Sequence, residues 1–107
     1  MSLDVVVMPR AENDLRQSME WWAKNRDPEQ AGRWWYGILE KIETLAENPD
    51  RLPLARENPK HPYELRELHF GLGSRPTHRI LFTIRPNNVV VVAVRHAAQD
   101  DWNPDDE

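Results

Sequence analysis

The chain has 107 residues, a formal net charge of −4 at pH 7 and no cysteine. That length suits one domain around one core, and the missing thiols exclude disulfides and thiolate metal sites. The acidic total argues against a simple nucleic-acid binder, but residues 60–99 hold 6 Lys/Arg against 2 Asp/Glu and all four histidines, so a basic stretch lies inside an acidic chain.

Asp4 to Met8, with Val5, Val6 and Val7, predicts a short first strand. Pro9 suits the first turn of a helix, where its missing N–H costs nothing. From Arg10 to Asn25, the spacing of Ala11, Leu15, Met19 and Trp22 draws one apolar stripe on an amphipathic helix. Asp27-Pro28 starts a second helix with Asp27 as N-cap; Ala31, Trp35, Ile38, Ile42 and Leu45 form its stripe, and Asn48-Pro49 ends it. The short link between the two forces an antiparallel hairpin.

Arg51 to Pro62, with Pro53, Pro59 and Pro62, predicts a surface loop. Three strands follow: Tyr63 to Phe70, Thr77 to Arg85 and Val89 to Arg95, joined by a Gly71-Leu72-Gly73-Ser74 turn and by Asn87-Asn88. The expectation is an α+β fold: an N-terminal strand, an antiparallel helix hairpin, then a three-stranded antiparallel meander packed against the helices. Residues 1–99 form that single domain and residues 100–107, five acids without a base, form an acidic C-terminal tail. Ile38, Ile42, Phe82 and Val92 are expected between hairpin and sheet. The opening residues lack the pattern of a signal peptide, and the longest apolar run, Val89 to Val94, is too short to span a bilayer. A cytoplasmic protein without a membrane partner is expected.

The motifs along these elements resemble the RelE/ParE toxin superfamily. Pro9-Arg10-Ala11-Glu12-Asn13-Asp14-Leu15 is similar to its opening P-x-A-x-x-D-L helix start. Ala31 to Trp34, then Ile38 to Leu45 with Asn48-Pro49, resembles the second helix. Leu65-Arg66-Glu67-Leu68, His78 to Ile84, and Val94-Arg95-His96 resemble the three later strands, and the match spans residues 4–99. The resemblance implies the toxin of a type II toxin–antitoxin system, held by a cognate antitoxin whose flexible segment wraps it. It implies one of two targets: DNA gyrase for ParE-like members, without a catalytic step, or ribosome-bound mRNA for RelE-like ribonucleases. Both a homodimer and a toxin–antitoxin hetero-oligomer fit, and a toxin-fold binding module without strong toxicity is a further alternative.

Arg66, Arg79, Arg95 and His96 come from three successive strands, which a meander sets about 4.8 Å apart. RNA cleavage through the 2′-hydroxyl needs a base, cations on the phosphate and an acid for the leaving oxygen. On the ribonuclease reading Arg66 and Arg79 clamp phosphate, His96 is the acid and Glu67 the nearest base, although Arg66 and Glu67, as strand neighbours, point to opposite faces. On either reading Arg66, Arg79 and Arg95 are candidate phosphate or target contacts, with Arg79 expected beside Arg66 and Arg95 on the face away from Ile80, Phe82 and Ile84. The alternative is that these arginines are solvated and paired with Glu64, Glu67 or the tail.

The acidic total, and Trp102 near the C-terminus where such nucleases often carry a tyrosine, favour the ParE-like reading. Neighbouring positions on a helix diverge by about 100°, so Trp21-Trp22 and Trp34-Trp35 cannot all be buried. Trp21 and Trp34 are the candidates for an antitoxin-binding groove. His61, His69 and His78 lack the spacing of a metal site, so no metal and no cofactor is expected.

Overall fold

The chain opens with a short strand, β1 (Asp4–Val7), and turns at once into α1 (Pro9–Asn25) and α2 (Pro28–Glu43). The computed structural model describes residues 2–98. The acidic tail assigned to residues 100–107, Trp102 included, therefore lies outside the described residues. Single-turn 3₁₀ segments at Thr44–Ala46, Pro49–Arg51 and Asn58–Lys60 lead to β2 (Arg66–Phe70), β3 (His78–Ile84) and β4 (Asn88–His96).

Both helices start where the sequence dictates. Pro9 and Pro28 occupy first-turn positions that need no N–H, and the Asp27 carboxylate accepts from the Gln30 amide at 2.8 Å. Past α2 the chain reverses at Asn48, whose φ of 47° is left-handed, a conformation asparagine tolerates better than most residues. That reversal turns Pro49 back into the protein.

The four strands form one sheet in the order β1-β4-β3-β2. β1 runs parallel to β4, from Asp4 opposite Asn88 to Val7 opposite Val91, and the β2-β3-β4 meander is antiparallel. β2 begins at Arg66 rather than Tyr63. The Ala55 amide donates to the Leu65 carbonyl, and the Leu65 amide donates to Asn58 Oδ1, so the loop takes the backbone groups a longer strand would use.

A bulge sits in β4. Phe82 lies opposite Val91 and Leu81 opposite Ala93, which leaves Val92 as the extra residue. The bulge shifts the side-chain alternation in a sheet that carries a buried cluster on each face. Ile38, Ile42, Trp34 and Leu15 pack with Ile80, Phe82, Val89, Val91 and Val94 on the helix side of the sheet. Val92 was expected on that side, but it joins Ala93, Leu81, Leu65 and Ala55 on the other side, under the loop. Periodicity of two cannot reveal an inserted residue.

Candidate functional site

The bulge and the strand register decide which candidate residues meet. Arg66 lies opposite Phe82 and shares its strand parity with Leu68, so it belongs to the helix side. Its guanidinium donates to the carbonyls of Leu52 and Asp50 and pairs with Glu64 at 2.9 Å. Arg79 lies between His69 on β2 and Arg95 on β4, on the opposite face. Arg66 therefore does not join Arg79, and the three-arginine cluster expected from the meander does not assemble.

Arg79 is itself spoken for. Its two terminal nitrogens donate to the two oxygens of Glu57, at 3.0 and 2.6 Å, and Nη1 also donates to Glu67 at 3.0 Å. Glu57 is 0 % exposed and Arg79 4 %. The hydrogen bonds to Glu57 and the carboxylate charges raise the Arg79 pKa further, against the effect of burial. Glu67 passes its second oxygen to His69 Nε2. The result is a chain, Glu57–Arg79–Glu67–His69, that pins the loop before β2 onto the sheet. Glu67, the candidate base, is engaged there too.

Glu57 was missed in the sequence because an acid among prolines reads as a solvated loop residue. Its one signal was the need of a charge at Arg79, inside an otherwise apolar run, for a buried partner.

His96 stands elsewhere. It is exposed at the end of β4, with the Ala98 amide donating to its Nδ1 at 3.2 Å. Its ring meets His78 edge-on at 5.4 Å, and His78 lies against Trp34 at 4.9 Å. His78 is 5 % exposed. Burial, and to a lesser degree the nearby His96, lower its pKa from 6.5 to about 4, so it is neutral at physiological pH. The Thr77 hydroxyl lies 2.8 Å from its Nδ1.

These two imidazoles line a cleft of about 560 Å³ between the C-terminal half of α1 and the ends of β3 and β4. The cleft exists because β1 stops opposite Val91, leaving the rest of β4, among the described residues, without a strand on that side. Asp14 of α1 fills part of the gap: its Oδ2 accepts from the Val94 amide at 2.9 Å. Burial raises the Asp14 carboxyl pKa, opposed by the Val94 hydrogen bond and by the charges of Arg95 and Arg10. Arg95, Arg26, Trp21 and Trp22 complete the walls.

The two tryptophan candidates separate. Trp21 is 51 % exposed at the cleft, edge-on to Trp22 at 5.6 Å. Trp34 is 0 % exposed in the core, so it cannot receive an antitoxin; the register of α2 turns position 34 fully inward, and it is Trp35 that is partly exposed. Among the described residues, no three metal-ligating side chains cluster, and no helix is long and apolar enough to cross a membrane.

A strand, a helix hairpin and a three-stranded antiparallel meander on one sheet define a RelE/ParE-like α+β toxin fold. The family model described as "ParE toxin of type II toxin-antitoxin system, parDE" matches residues 5–101. The chain belongs to the ParE toxin family of type II toxin–antitoxin systems, within the RelE/ParE superfamily. Among solved structures, it is similar to a chain from the chromosomal ParDE TA system of P. aeruginosa, with a TM-score of 0.70 at 16 % identity over 89 % of this chain and 96 % of that one. It is also similar to a chain of the toxin–antitoxin complex RelBE2 from Mycobacterium tuberculosis, with a TM-score of 0.55 at 22 % identity over 92 % and 95 %. At such identities the likeness is one of fold. No curated protein matches the chain in sequence.

Proposed function

We propose that this toxin acts as ParE-like members do, inhibiting DNA gyrase by binding, and that a cognate antitoxin neutralises it. The observation that carries the choice over mRNA cleavage is the state of the arginines. Phosphate-ester cleavage needs cations free to tighten on the phosphate as charge develops. Arg79 is buried under Glu57 and Glu67, and Arg66 is turned to the other face and bonded to loop carbonyls. Neither is presented as a phosphate clamp. A binding toxin needs no such clamp.

The antitoxin half of the proposal is supported by the family and by the toxin–antitoxin complexes that share the fold. Exposed apolar side chains suit a peptide that orders on binding: Trp21, Tyr36, Met8 and Val6 are all more than 40 % exposed. Trp21 is the antitoxin contact retained from the two tryptophan candidates. The assembly expected is a toxin–antitoxin hetero-oligomer.

Induction of the chain in cells tests the proposal. Inhibited gyrase should appear as a DNA-damage response before protein synthesis slows, and co-expression of the small protein encoded beside the toxin should restore growth. Translation arrest as the first event would refute the gyrase reading, and unrelieved arrest on co-expression would refute the antitoxin reading.

A further inference from the structure

We propose that the acidic segment 100–107 docks in the cleft between α1 and the end of β4 of its own chain. Beyond Ala98 the sequence runs Gln99-Asp100-Asp101-Trp102-Asn103-Pro104-Asp105-Asp106-Glu107, five acids and an indole without a base. The chain leaves the sheet at the mouth of the cleft. The Ala97 amide still donates to the Thr77 carbonyl at 2.8 Å, and the Ala98 amide turns back to donate to His96 Nδ1 at 3.2 Å. Thr77 and His96 both line the cleft, so the segment starts at its wall. Four extended residues reach about 13 Å, enough to carry Trp102 along that wall.

The cleft complements this segment in charge and in apolar surface. Arg26 at the end of α1, Arg95 of β4 and the exposed imidazole of His96 line it. The single carboxylate in the lining, Asp14, already accepts from the Val94 amide. Trp21, half exposed, offers Trp102 an apolar surface to cover. An exposed ion pair is too weak to hold a free peptide. A tethered one starts from an effective concentration of about a millimolar, so several weak contacts made together suffice. An acidic peptide from another protein must compete with that occupant. Docked, the segment covers Trp21, so under the antitoxin reading it contends with the antitoxin; the docking itself concerns the isolated chain and does not rest on that reading.

The chain has no cysteine, so Asn103→Cys gives the full chain a unique thiol for a nitroxide label, and NMR reads which signals the label broadens. The indole N–H signals of Trp21 and Trp22 and the Val94 amide should broaden, and the amide of Glu43, at the other end of the hairpin, should be spared. Salt at about 0.5 M should remove most of the broadening. So should neutralising the acids together, with Asp100→Asn, Asp101→Asn, Asp105→Asn, Asp106→Asn and Glu107→Gln. Trp102→Ala should reduce it, and Arg95→Gln should reduce it in a variant whose melting curve matches the parent's. Dilution of the sample by about tenfold should leave the broadening unchanged, because a tethered contact is independent of protein concentration. Three results would overturn the proposal. They are broadening at Glu43 equal to that at the cleft, cleft broadening indifferent to salt and to the neutralised acids, or broadening that falls on dilution, which would assign the contact to a second copy.

Discussion

A buried guanidinium is tolerable only when its hydrogen-bonding nitrogens and its charge are both matched, and a buried carboxylate likewise. The two terminal nitrogens of Arg79 meet both oxygens of Glu57, so removing Arg79 should leave Glu57 charged and dry, and removing Glu57 should leave Arg79 with Glu67 alone. Arg79→Met or Glu57→Leu should each cost about 3–5 kcal/mol of stability, read from urea unfolding. The double variant should recover much of that loss, and a double variant no better than either single would show that the pair is not coupled. Loss of toxicity in Arg79→Ala would therefore report a damaged fold before it reported a missing target contact.

His78 makes a second prediction at the same scale. Its folded-state pKa, about 4, is below the ordinary 6.5 because burial disfavours the imidazolium. Between those values the unfolded chain binds the proton and the folded chain does not. The stability this neutral ring contributes is present above pH 6.5 and is lost as pH falls toward 4, by up to about 3 kcal/mol. His78→Phe should flatten that part of the stability–pH curve, and a slope identical to the parent's would place the acid sensitivity elsewhere.

At the scale of elements, the helix hairpin was legible because a 3.6-residue period and proline starts are local signals. Ile42 sits where that period puts it, 3 % exposed among the residues of the helix-side core. Ile42→Ala should cost about 2–5 kcal/mol in chemical unfolding, and a loss under about 1 kcal/mol would contradict the packing. Gly37 adds a packing constraint the sequence did not announce: a Cβ there would come within 2.8 Å of the Phe70 ring. Gly71 is more constrained, since a Cβ would meet the Arg75 carbonyl oxygen at 2.1 Å, which ties the β2–β3 turn to glycine.

What the sequence hid were the non-local facts. Nothing in the run Val89 to Val94 marks Val92 as an inserted residue, yet the bulge sends it to the far face. Glu57 and Arg79 are 22 residues apart, and only the fold of the loop brings them together. Asp14 shows the intermediate case. The P-x-A-x-x-D-L start was visible as a pattern, but its aspartate acquires a reason only when α1 is seen to cap the Val94 amide where β1 ends. Trp34 and Trp35 illustrate the limit of periodicity: the stripe was drawn through Trp35 with Trp34 given to the groove, and the structure buries Trp34 and leaves Trp35 partly exposed.

At the scale of the whole molecule, the chain is acidic overall, and residues 60–99, which hold the meander, are net positive because they carry few acids. Dense phosphate contacts would demand a far more positive surface. The fold brings one arginine to the α1–β4 cleft from β4, buries another under carboxylates and spends a third on loop carbonyls. Under the proposed function the toxin would act on gyrase by binding and not on RNA by cleavage. The most direct test adds the purified chain to a gyrase supercoiling reaction and, in parallel, to ribosomes programmed with mRNA. Supercoiling should be inhibited, nearly unchanged by His96→Gln, and the mRNA should stay intact. Cleavage of the mRNA in the ribosomal A site, abolished by His96→Gln, with supercoiling unaffected, would contradict it.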